Sequence, residues 1–353
     1  MNGEEQNKYH ANKFSQHLIS WHKIHGRHNL PWQKKISPYK VWISEVMLQQ
    51  TQVKTVLPYY EDFMEKYPDI KTLSNSKLDE ILESWTGLGY YRRAENLYKT
   101  SKIIKNKYQY QFPSIYEDIL ALPGIGRSTA GAILSLAYNK KYPILDGNVK
   151  RVIKRYFALR GKEEDDKNLW YISESLLPEK NNNIYTQSIM DLGALVCIKN
   201  SPSCKACPIN DNCMSHNLNL TNVIPVKKAK LKKKKLVKLF FILIQNFEDR
   251  QLILMKKNRN NGIWANLWNF PSFEKETEYM KFLKTYKINS KITKYDNIKH
   301  KLTHLDLDID ILRVELKKIV NFDNYYWKNI YDTIGSSKPV IAIIKKLREE
   351  MNG

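Results

Sequence analysis

The sequence has no long apolar run, and this absence limits where the chain can work. No stretch is apolar for long enough to cross a bilayer, which excludes a membrane-spanning helix. The first residues, Met1 to Gln6, are polar and acidic, whereas a secretory signal is basic and then apolar. We therefore expect a soluble protein of the cytoplasm that does not act at a membrane.

Cysteine is scarce, and its few copies are clustered. The chain has four cysteines, Cys197, Cys204, Cys207 and Cys213, separated by six, two and five residues. In a cytosolic chain such clustering favours metal ligation over disulfides. Four thiolates suit zinc or a [4Fe–4S] cluster, but zinc ribbons usually pair two Cys-x2-Cys knuckles, and only one is present here. The uneven spacing favours one [4Fe–4S] cluster, with a structural role.

Acidic residues are also in the minority. Lys and Arg number 58 against 36 Asp and Glu, which gives a formal net charge of +22. A positive field of this size attracts polyanions, so nucleic acid is a plausible partner. The chain is also rich in Asn and Ile, and a genome-wide codon bias would produce the same excess of Lys. Basicity alone therefore does not establish DNA binding.

The length and the change of pattern along the chain predict two domains. A chain of 353 residues is too long to fold around one small hydrophobic core. Helical periodicity dominates up to about Thr221, and the run 226–238 then contains no acidic residue, which is typical of a solvated linker. We predict a mostly α-helical domain over 1–222, a basic linker over 223–236 and an α+β domain over 237–353.

Local signals place several elements within this plan. Ser37 followed by Pro38 predicts a helix start, with a capping hydroxyl and a proline at the first helical position. Apolar runs at 239–245 and 251–255 predict strands, and apolar residues alternate with aspartates over 305–311. A last helix is expected over 338–350.

The segment Leu122–Gly131 predicts a turn that can approach a phosphate. Two glycines one residue apart allow a tight turn, and the helix that follows directs its N-terminal amides at an anion. A lone Gly-x-Gly is more often an ordinary corner, but the longer Leu-Pro-Gly-x-Gly-x-x-x-Ala string resembles the helix–hairpin–helix motif. That motif binds DNA backbone without reading sequence. The predicted backbone contacts of this hairpin are Gly124, Gly126, Arg127 and Ser128.

Two carboxylates stand in notable surroundings, although neither is diagnostic alone. Glu45 lies beside an apolar helical stripe, and Asp146 precedes the helical string 147–153. Read alone, Glu45 would be a partly buried helix carboxylate and Asp146 an ordinary N-cap.

Several long motifs, in the same order, resemble those of the adenine DNA glycosylase (MutY) family. They are Pro31-Trp32, the segment 41–53, the segment 85–91 and the string 145–152, together with the hairpin and the cysteine spacing. The resemblance is dense from about residue 15 to 215. It implies a mostly helical glycosylase domain with a helix–hairpin–helix and an iron–sulfur cluster loop, followed by an α+β Nudix-like domain.

The resemblance implies a two-carboxylate mechanism. Adenine leaves poorly as an anion, so it must be protonated before the N-glycosidic bond breaks. Glu45 is implied as the general acid towards the base, and Asp146 as the carboxylate that faces the deoxyribose. We predict that burial raises the pKa of Glu45, because this group must hold a proton near neutral pH.

The resemblance also implies which residues contact the duplex. The residues implied to fill the gap left by the extruded adenine are Gln50, Thr51, Leu88 and Tyr90. Trp32 and Gln187 are implied for the adenine pocket, and Lys150 for a backbone contact. Glycines on both sides of Leu88 predict that this side chain stands at an exposed tip.

Position 128 separates two related activities. Relatives of the endonuclease III family, which also cut the strand, carry a Schiff-base lysine in this hairpin, whereas this chain has Ser128. We predict base excision without efficient strand cleavage. Lys150 lies close to Asp146 in sequence and would give at most a weak lyase activity.

The C-terminal part resembles a Nudix module that recognises 8-oxoguanine. The matching segments are 262–264 and 267–271, but the Glu-rich metal-binding helix of Nudix hydrolases is missing. We therefore expect binding without pyrophosphate hydrolysis. The family's Phe-Ser-His recognition loop reads Leu302-Thr303-His304 here, and the loss of the aromatic residue puts the strength of 8-oxoguanine discrimination in question.

The expected substrate is duplex DNA with adenine opposite 8-oxoguanine or guanine, bound by a monomer that needs no obligate protein partner. Three alternatives remain to be tested. An endonuclease III-like pyrimidine glycosylase with lyase activity is disfavoured by Ser128 and by the added C-terminal domain. A non-catalytic DNA-binding protein is disfavoured by the presence of Glu45 and Asp146. A Nudix hydrolase with a helical appendage is disfavoured by the missing metal helix.

Overall fold

A computed structural model describes residues 3–226, 233–247, 250–302, 305–318, 320–332 and 334–352. The chain divides into two compact units, which we call unit 1 and unit 2. Unit 1 comprises Met1–Asn75 and Asn96–Lys228, and unit 2 comprises Ser76–Glu95 and Ala229–Gly353. The helical segment Ser76–Glu95 thus groups with the C-terminal part of the chain, whereas a linear division near residue 222 was predicted. Among the described helices, none combines the length and the apolar character that a membrane crossing requires.

Helices account for most of the described secondary structure before residue 226. The helices of the described residues are α1 (Gly3–His25), α2 (Pro38–Leu48), α3 (Val53–Lys66), α4 (Ile70–Asn75), α5 (Leu78–Ser84), α6 (Arg92–Tyr108), α7 (Tyr116–Leu120), α8 (Arg127–Tyr138), α9 (Gly147–Tyr156), α10 (Asp166–Ser175), α11 (Asn182–Leu195), α12 (Met214–Asn217), α13 (Glu276–Thr285) and α14 (Lys338–Asn352).

Helix α2 begins where the sequence predicts. The Ser37 hydroxyl accepts a hydrogen bond from the Lys40 amide at 3.2 Å, and Pro38 occupies the first helical position. The apolar stripe of the helix is buried, and Trp42 and Met47 are fully inaccessible to solvent. This burial fixes the rotation of α2 and therefore the direction of Glu45, which lies between Trp42 and Met47 in sequence.

The predicted hairpin is a turn between α7 and α8. Gly124 has a φ of +80°, a conformation that side chains disfavour, and an added Cβ would lie 2.7 Å from the Asn96 Cβ. Only glycine fits there without displacement. Helix α8 begins directly afterwards at Arg127, so its free N-terminal amides adjoin the turn.

The core around α9 joins helices that are distant in sequence. Leu18 of α1, Val149 of α9, Leu169 of α10 and Leu192 of α11 are all fully buried in one apolar cluster. Helix α9 therefore has a fixed position in unit 1, and this position determines where its first and last turns lie.

The C-terminal part of unit 2 is a sheet with helices on both faces. Its described strands are β1 (Lys234–Phe247), β2 (Arg250–Lys257), β3 (Trp268–Asn269), β4 (Ser272–Phe273), β5 (Ile292–Lys301), β6 (Leu305–Leu316) and β7 (Tyr326–Asn329). The strand order is β3-β2-β1-β6-β5, with β4 paired to β1 and β7 to β2. Strands β1 and β6 are parallel, and the β1–β2 and β5–β6 pairs are antiparallel.

Strand β1 is apolar on both faces because each face is covered by a helix. Phe240 and Ile242 point in opposite directions to Phe241 and Leu243, since alternate residues of a strand face opposite sides. The first pair joins a core with α14, and the second joins a core with α13. In β6 the apolar residues 307, 309 and 311 are buried while the aspartates between them are more exposed, as the alternation predicts.

The middle of the predicted basic linker, residues 227–232, lies outside the described residues. Strand β1 begins at Lys234, so the last three residues assigned to the linker, 234–236, already pair with β6. The strands and the final helix are otherwise at the predicted places, and β1 and β6 are longer than expected.

Candidate active site and cysteine loop

Glu45 projects from α2 into a pocket of unit 1. The walls of this pocket include Arg27, Trp32, Glu45, Gln187 and Met190. Trp32 is 6% exposed and packs edge-on against Tyr60, with the ring centroids 5.2 Å apart. The structure therefore brings together three residues that were predicted from separate parts of the sequence, Trp32, Glu45 and Gln187.

The pKa of Glu45 is raised from 4.5 to about 8. Burial is the larger cause, because it disfavours the charged form, and the negative charge of Asp146 adds to it. At neutral pH this carboxyl group therefore carries a proton. The prediction of a raised pKa agrees with this environment.

Asp146 is both the N-cap of α9 and the electrostatic neighbour of Glu45. Its Oδ1 accepts a hydrogen bond from the Val149 amide at 2.7 Å. Burial raises its pKa above the ordinary value, while amides of the first helical turn and the Arg151 guanidinium act in the opposite direction. These donors favour the ionised form of Asp146.

A buried aspartate that the sequence analysis missed organises one wall of the pocket. Asp191 is fully buried, and Arg27 donates to it from the backbone at 2.7 Å and from Nε at 2.8 Å. His22 Nε2 lies 3.3 Å from Oδ2, the oxygen that also accepts from the Arg27 amide, and Gln187 Nε2 donates to Oδ1 at 2.9 Å. Burial alone would raise the pKa of Asp191, but hydrogen bonds from His22 and Arg27 outweigh it and lower the pKa.

One signal in the sequence could have indicated Asp191. It follows Gln187 by four residues, and residues four apart share one face of a helix. Its partner Arg27 lies 164 residues away, and no local pattern announces that pairing.

The four cysteines line one cavity of unit 1. Cys197, Cys204, Cys207 and Cys213 share its walls with apolar side chains of α9 and α11. All four are free thiols and half-buried. Within the described ranges, no group of three or more His, Cys, Asp or Glu side chains is arranged to hold a metal ion. The structure thus brings the four predicted ligands to one cavity.

Two arginines of α9 fasten the cysteine loop to this helix. Arg155 is 2% exposed and donates to the carbonyl oxygens of Ile198 at 2.6 Å and Ile224 at 2.8 Å. Arg151 donates to the carbonyl oxygen of Cys197 at 2.7 Å. The helix that begins with Asp146 therefore ends against the cysteine loop.

The hairpin residues occupy an exposed surface. Gly124, Gly126 and Arg127 are exposed, and the Arg127 guanidinium lies 4.0 Å from the centre of the Trp170 ring. The Ser128 hydroxyl accepts a hydrogen bond from the Leu145 amide at 3.0 Å, which links the hairpin to the segment before Asp146. Lys150 Nζ forms an ion pair with Asp166 at 2.6 Å.

The predicted duplex-filling residues lie in two turns with unusual backbone conformations. Gln50 follows α2, has a φ of +57° and is exposed, while the Thr51 hydroxyl donates to the Gln49 carbonyl at 3.3 Å. In unit 2, Tyr90 has a φ of +49° and is 47% exposed. The expectation of an exposed tip is wrong for Leu88, which is only 6% exposed. The glycines on both sides shape the turn, but the leucine side chain points into the protein.

Only part of the predicted 8-oxoguanine loop is described. Leu302 is half-buried against the core that contains α14, and its amide donates to the Leu305 carbonyl at 2.8 Å. Thr303 and His304 lie outside the described residues.

Family models match both parts of the chain. Residues 43–178 match the model described as "HhH-GPD superfamily base excision DNA repair protein", and residues 240–346 match a Nudix domain model. A solved thermostable thymine-DNA glycosylase is 27% identical, with a TM-score of 0.55 over 62% of this chain and 100% of that chain. An endonuclease III in a DNA complex, 22% identical with a TM-score of 0.52 over 62% of this chain and 99% of that chain, shares the fold. The chain is thus a helix–hairpin–helix base excision DNA glycosylase with a C-terminal Nudix-like domain, which confirms the predicted fold class.

Curated relatives identify the branch of this superfamily. The adenine DNA glycosylase of Buchnera aphidicola from Schizaphis graminum is 44% identical over 94% of this chain and 98% of its own length. The human adenine DNA glycosylase is 36% identical over 56% of this chain and 38% of its own length. The chain belongs to the adenine DNA glycosylase family, and it is an enzyme of base excision repair.

Proposed function

We propose that this adenine DNA glycosylase removes adenine opposite 8-oxoguanine or guanine, with Glu45 as the general acid and Asp146 as the carboxylate that stabilises the sugar cation. The observation that carries the assignment is the pKa of Glu45, which burial and Asp146 raise to about 8. A carboxyl group that holds its proton at neutral pH can donate it to a leaving group.

The two carboxyl groups act in opposite protonation states. Glu45 delivers its proton to a ring nitrogen of adenine, the bond between the base and C1′ breaks, and the bonding electrons leave with the now neutral adenine. The positive charge that remains on the sugar lies against the Asp146 carboxylate, whose ionised form the Val149 amide and the Arg151 guanidinium favour. Water captures the cation, directly or after transient bonding to Asp146, and gives the abasic site. One proton of this water passes to the Glu45 carboxylate and restores the acid.

The pocket of unit 1 would hold the extruded base. Trp32 offers an aromatic wall, and the side chain of Gln187 is oriented by Asp191 through its amide nitrogen. Its carbonyl oxygen then accepts a hydrogen bond from the exocyclic amino group of adenine. An enzyme that acts on a paired base must first flip it out of the stack.

Three surfaces would contact the rest of the duplex. The exposed hairpin residues Gly124, Gly126 and Arg127 bind backbone phosphate with the N-terminal amides of α8, together with Ser128 and Lys150. The side chains proposed to fill the vacated space are Gln50, Thr51, Leu88 and Tyr90. For Leu88 this role requires the buried side chain to turn outward when DNA binds. In the Nudix-like domain, Leu302, Thr303 and His304 would recognise the 8-oxoguanine.

Cys197, Cys204, Cys207 and Cys213 would hold one [4Fe–4S] cluster. Four thiols on a single, mostly apolar cavity fit the donor set of such a cluster, and Arg155 brings a positive charge to within 3.5 Å of the Cys197 sulfur. The role of the cluster is structural, since it would fix the fold of a loop in which Lys199 and Lys205 lie.

Excision should occur without strand cleavage. A lyase needs a neutral amine in the hairpin to form a Schiff base, whereas the Ser128 hydroxyl is engaged with the Leu145 amide. The amine of Lys150 is engaged in an ion pair with Asp166 at 2.6 Å.

Single-turnover excision on three duplexes tests the proposal. Adenine is placed opposite 8-oxoguanine, guanine or thymine, and the products are resolved with and without alkali. Loss of adenine only opposite the two guanine forms, with breaks only after alkali, is the expected result. A further duplex with an oxidised pyrimidine tests the alternative. Breaks without alkali on that duplex would favour an endonuclease III-like activity, and no loss of adenine on the first three would contradict the assignment.

A further inference from the structure

The segment Ser76–Glu95 is bound to the Nudix-like sheet within unit 2. Lys257 of β2 forms an ion pair with Asp79, and Asn266 Nδ2 donates to Glu95 Oε1 at 3.2 Å. These contacts lie at the two ends of the segment. The turn proposed to enter the duplex, residues 87–90, lies between them.

Tyr91 connects this turn to the sheet domain through one hydroxyl group. Its oxygen accepts a hydrogen bond from the Gly87 amide at 3.2 Å and donates to the Ser336 carbonyl at 2.8 Å. Ser336 in turn forms a bridge with Trp268 of β3, so the hydroxyl connects the turn to the edge of the sheet. The Tyr91 hydroxyl oxygen thus links Gly87, the first residue of the turn, to the C-terminal domain by hydrogen bonds.

Side chains of its own segment also hold the turn. Arg93 donates to the Gly89 carbonyl at 3.0 Å, and the Trp85 indole donates to the same oxygen at 3.1 Å. The Arg93 guanidinium also lies over the ring of Tyr90, 5.5 Å from its centre. The turn is therefore an ordered unit that the Tyr91 hydroxyl attaches to the sheet at Ser336.

Gly335 allows the sheet domain to approach this segment closely. A Cβ added there would lie 3.0 Å from the Leu82 Cβ and 3.3 Å from the Glu83 backbone nitrogen. The backbone of α5 cannot move aside as easily as a flexible side chain. Any residue larger than glycine at position 335 would therefore push the backbone of residues 335 and 336 away from α5.

We propose that Tyr91 is a positioning residue through which the Nudix-like domain sets the conformation of the turn 87–90, and that it thereby contributes to the choice of the base opposite adenine. The argument rests on the proposed function for the role of the turn, but not for the connection itself. When the sheet domain engages 8-oxoguanine, the Tyr91 hydroxyl holds the turn in register with it. Without this hydroxyl the hydrogen-bonded link from Gly87 to Ser336 is lost.

Hydrogen exchange in the full-length protein tests the connection without requiring activity. Tyr91→Phe keeps the ring and removes the hydroxyl, and we expect amide exchange over residues 87–91 to accelerate about fivefold, as for loss of one ordinary hydrogen bond. Tyr138→Phe is the matched control, because its hydroxyl also reaches backbone oxygens, those of Phe112 and Pro113, but in unit 1. Unchanged exchange over residues 87–91 in Tyr91→Phe would overturn the proposal.

A second variant acts from the sheet side. Gly335→Ala changes no residue of the turn, yet by displacing Ser336 it should accelerate exchange over residues 87–91 as Tyr91→Phe does. An effect confined to residues near 335 would show that the sheet does not set the turn.

The contribution of Tyr91 to specificity is measured by the excision rates on two duplexes, one with adenine opposite 8-oxoguanine and one with adenine opposite guanine. We expect Tyr91→Phe to lower the preference for adenine opposite 8-oxoguanine over adenine opposite guanine by about fivefold, while Tyr138→Phe leaves the ratio unchanged. Equal losses on both duplexes would mean a merely structural role and would overturn this part. If the parent protein excised no adenine at all, the proposed function would fail, and the exchange data would still decide the connection.

Discussion

The pocket of unit 1 and the sheet of unit 2 differ in whether charged side chains are buried in them. Around the pocket, Glu45, Asp146 and Asp191 all have displaced pKa values, and Asp191 is fully buried. In the described part of the sheet domain after residue 233, every buried polar side chain is uncharged, namely Gln245, Asn269, Ser336 and Ser337. Keeping a charge away from water is costly unless it is paired, so a fold tolerates it chiefly where it acts. Buried charges of unit 2, Arg93 and Glu95, lie in the segment Ser76–Glu95 and not in the sheet, so the contrast supports the proposed site in unit 1 over the sheet.

The largest effect should come from the acid itself. Glu45→Gln keeps the shape of the side chain but cannot donate the proton, so single-turnover excision should fall by a factor on the order of 10²–10⁴. DNA binding, measured by fluorescence anisotropy, should persist. Glu61→Gln on the exposed side of α3 is the control and should leave the rate unchanged. Retained excision in Glu45→Gln would remove this residue from the mechanism.

Asp191→Asn should destabilise unit 1. The change leaves Arg27 and His22 without their charged partner, and breaking a buried pair in this way costs about 3–5 kcal/mol. The free energy of unfolding in denaturant measures the loss, with the exposed Asp62→Asn as control. A loss below about 1 kcal/mol, the range of a surface pair, would contradict the importance of this network.

The pH dependence of excision should follow Glu45. The folded pKa is raised to about 8, so the catalytic proton is present below that pH and is lost above it. The excision rate should therefore decline about tenfold per pH unit above 8, provided that chemistry limits the rate. A rate that continued to rise up to pH 9 would exclude Glu45 as the acid.

The same shift has a consequence for stability, with a definite sign. Between pH 4.5 and about 8 the unfolded chain loses the Glu45 proton while the folded chain keeps it, so the folded state is progressively disfavoured as the pH rises. Glu45→Gln has no such group. Its stability relative to the parent should increase across this window and then level off above it, which thermal unfolding at pH 5, 7 and 9 would reveal.

The smallest effect is expected in the sheet domain. Lys346 and Asp296 form an ion pair at 2.7 Å, but both side chains are more than a third exposed. Lys346→Gln should change the free energy of unfolding by less than about 1 kcal/mol and leave excision unchanged. A larger loss would mean that the sheet also depends on its charges, which would weaken the contrast with unit 1.

Local patterns predicted what local physics determines. The start of α2 follows from a capping serine and a proline. The alternation in β6 follows because residues 307, 309 and 311 lie on one buried face of the strand. The raised pKa of Glu45 was expected because the proposed chemistry requires a protonated acid. Each of these predictions could be made from residues close together in sequence or from a motif that implied the chemistry.

Contacts between distant segments could not be predicted in this way. Asp191 meets Arg27 across 164 residues, and nothing near either residue indicates it. Leu88 was expected at an exposed tip because glycines flank it. Flanking glycines indicate a backbone turn, but they do not determine the direction of the side chain between them, and Leu88 is buried. The grouping of Ser76–Glu95 with the C-terminal sheet depends on contacts such as Tyr91 with Ser336, which form only in the folded chain.

Helix α9 joins the reacting carboxylate to a part of the protein that never touches DNA bases in the proposed mechanism. Asp146 caps its first turn, and Arg155 near its other end, about 14 Å away at 1.5 Å per residue, holds the cysteine loop. A helix of this length behaves as a rigid rod, so a disturbance of the loop tilts the carboxylate. If the cysteines hold the proposed iron–sulfur cluster, excision would depend on the supply of iron and on protection from oxidants, through damage that leaves every reacting atom intact.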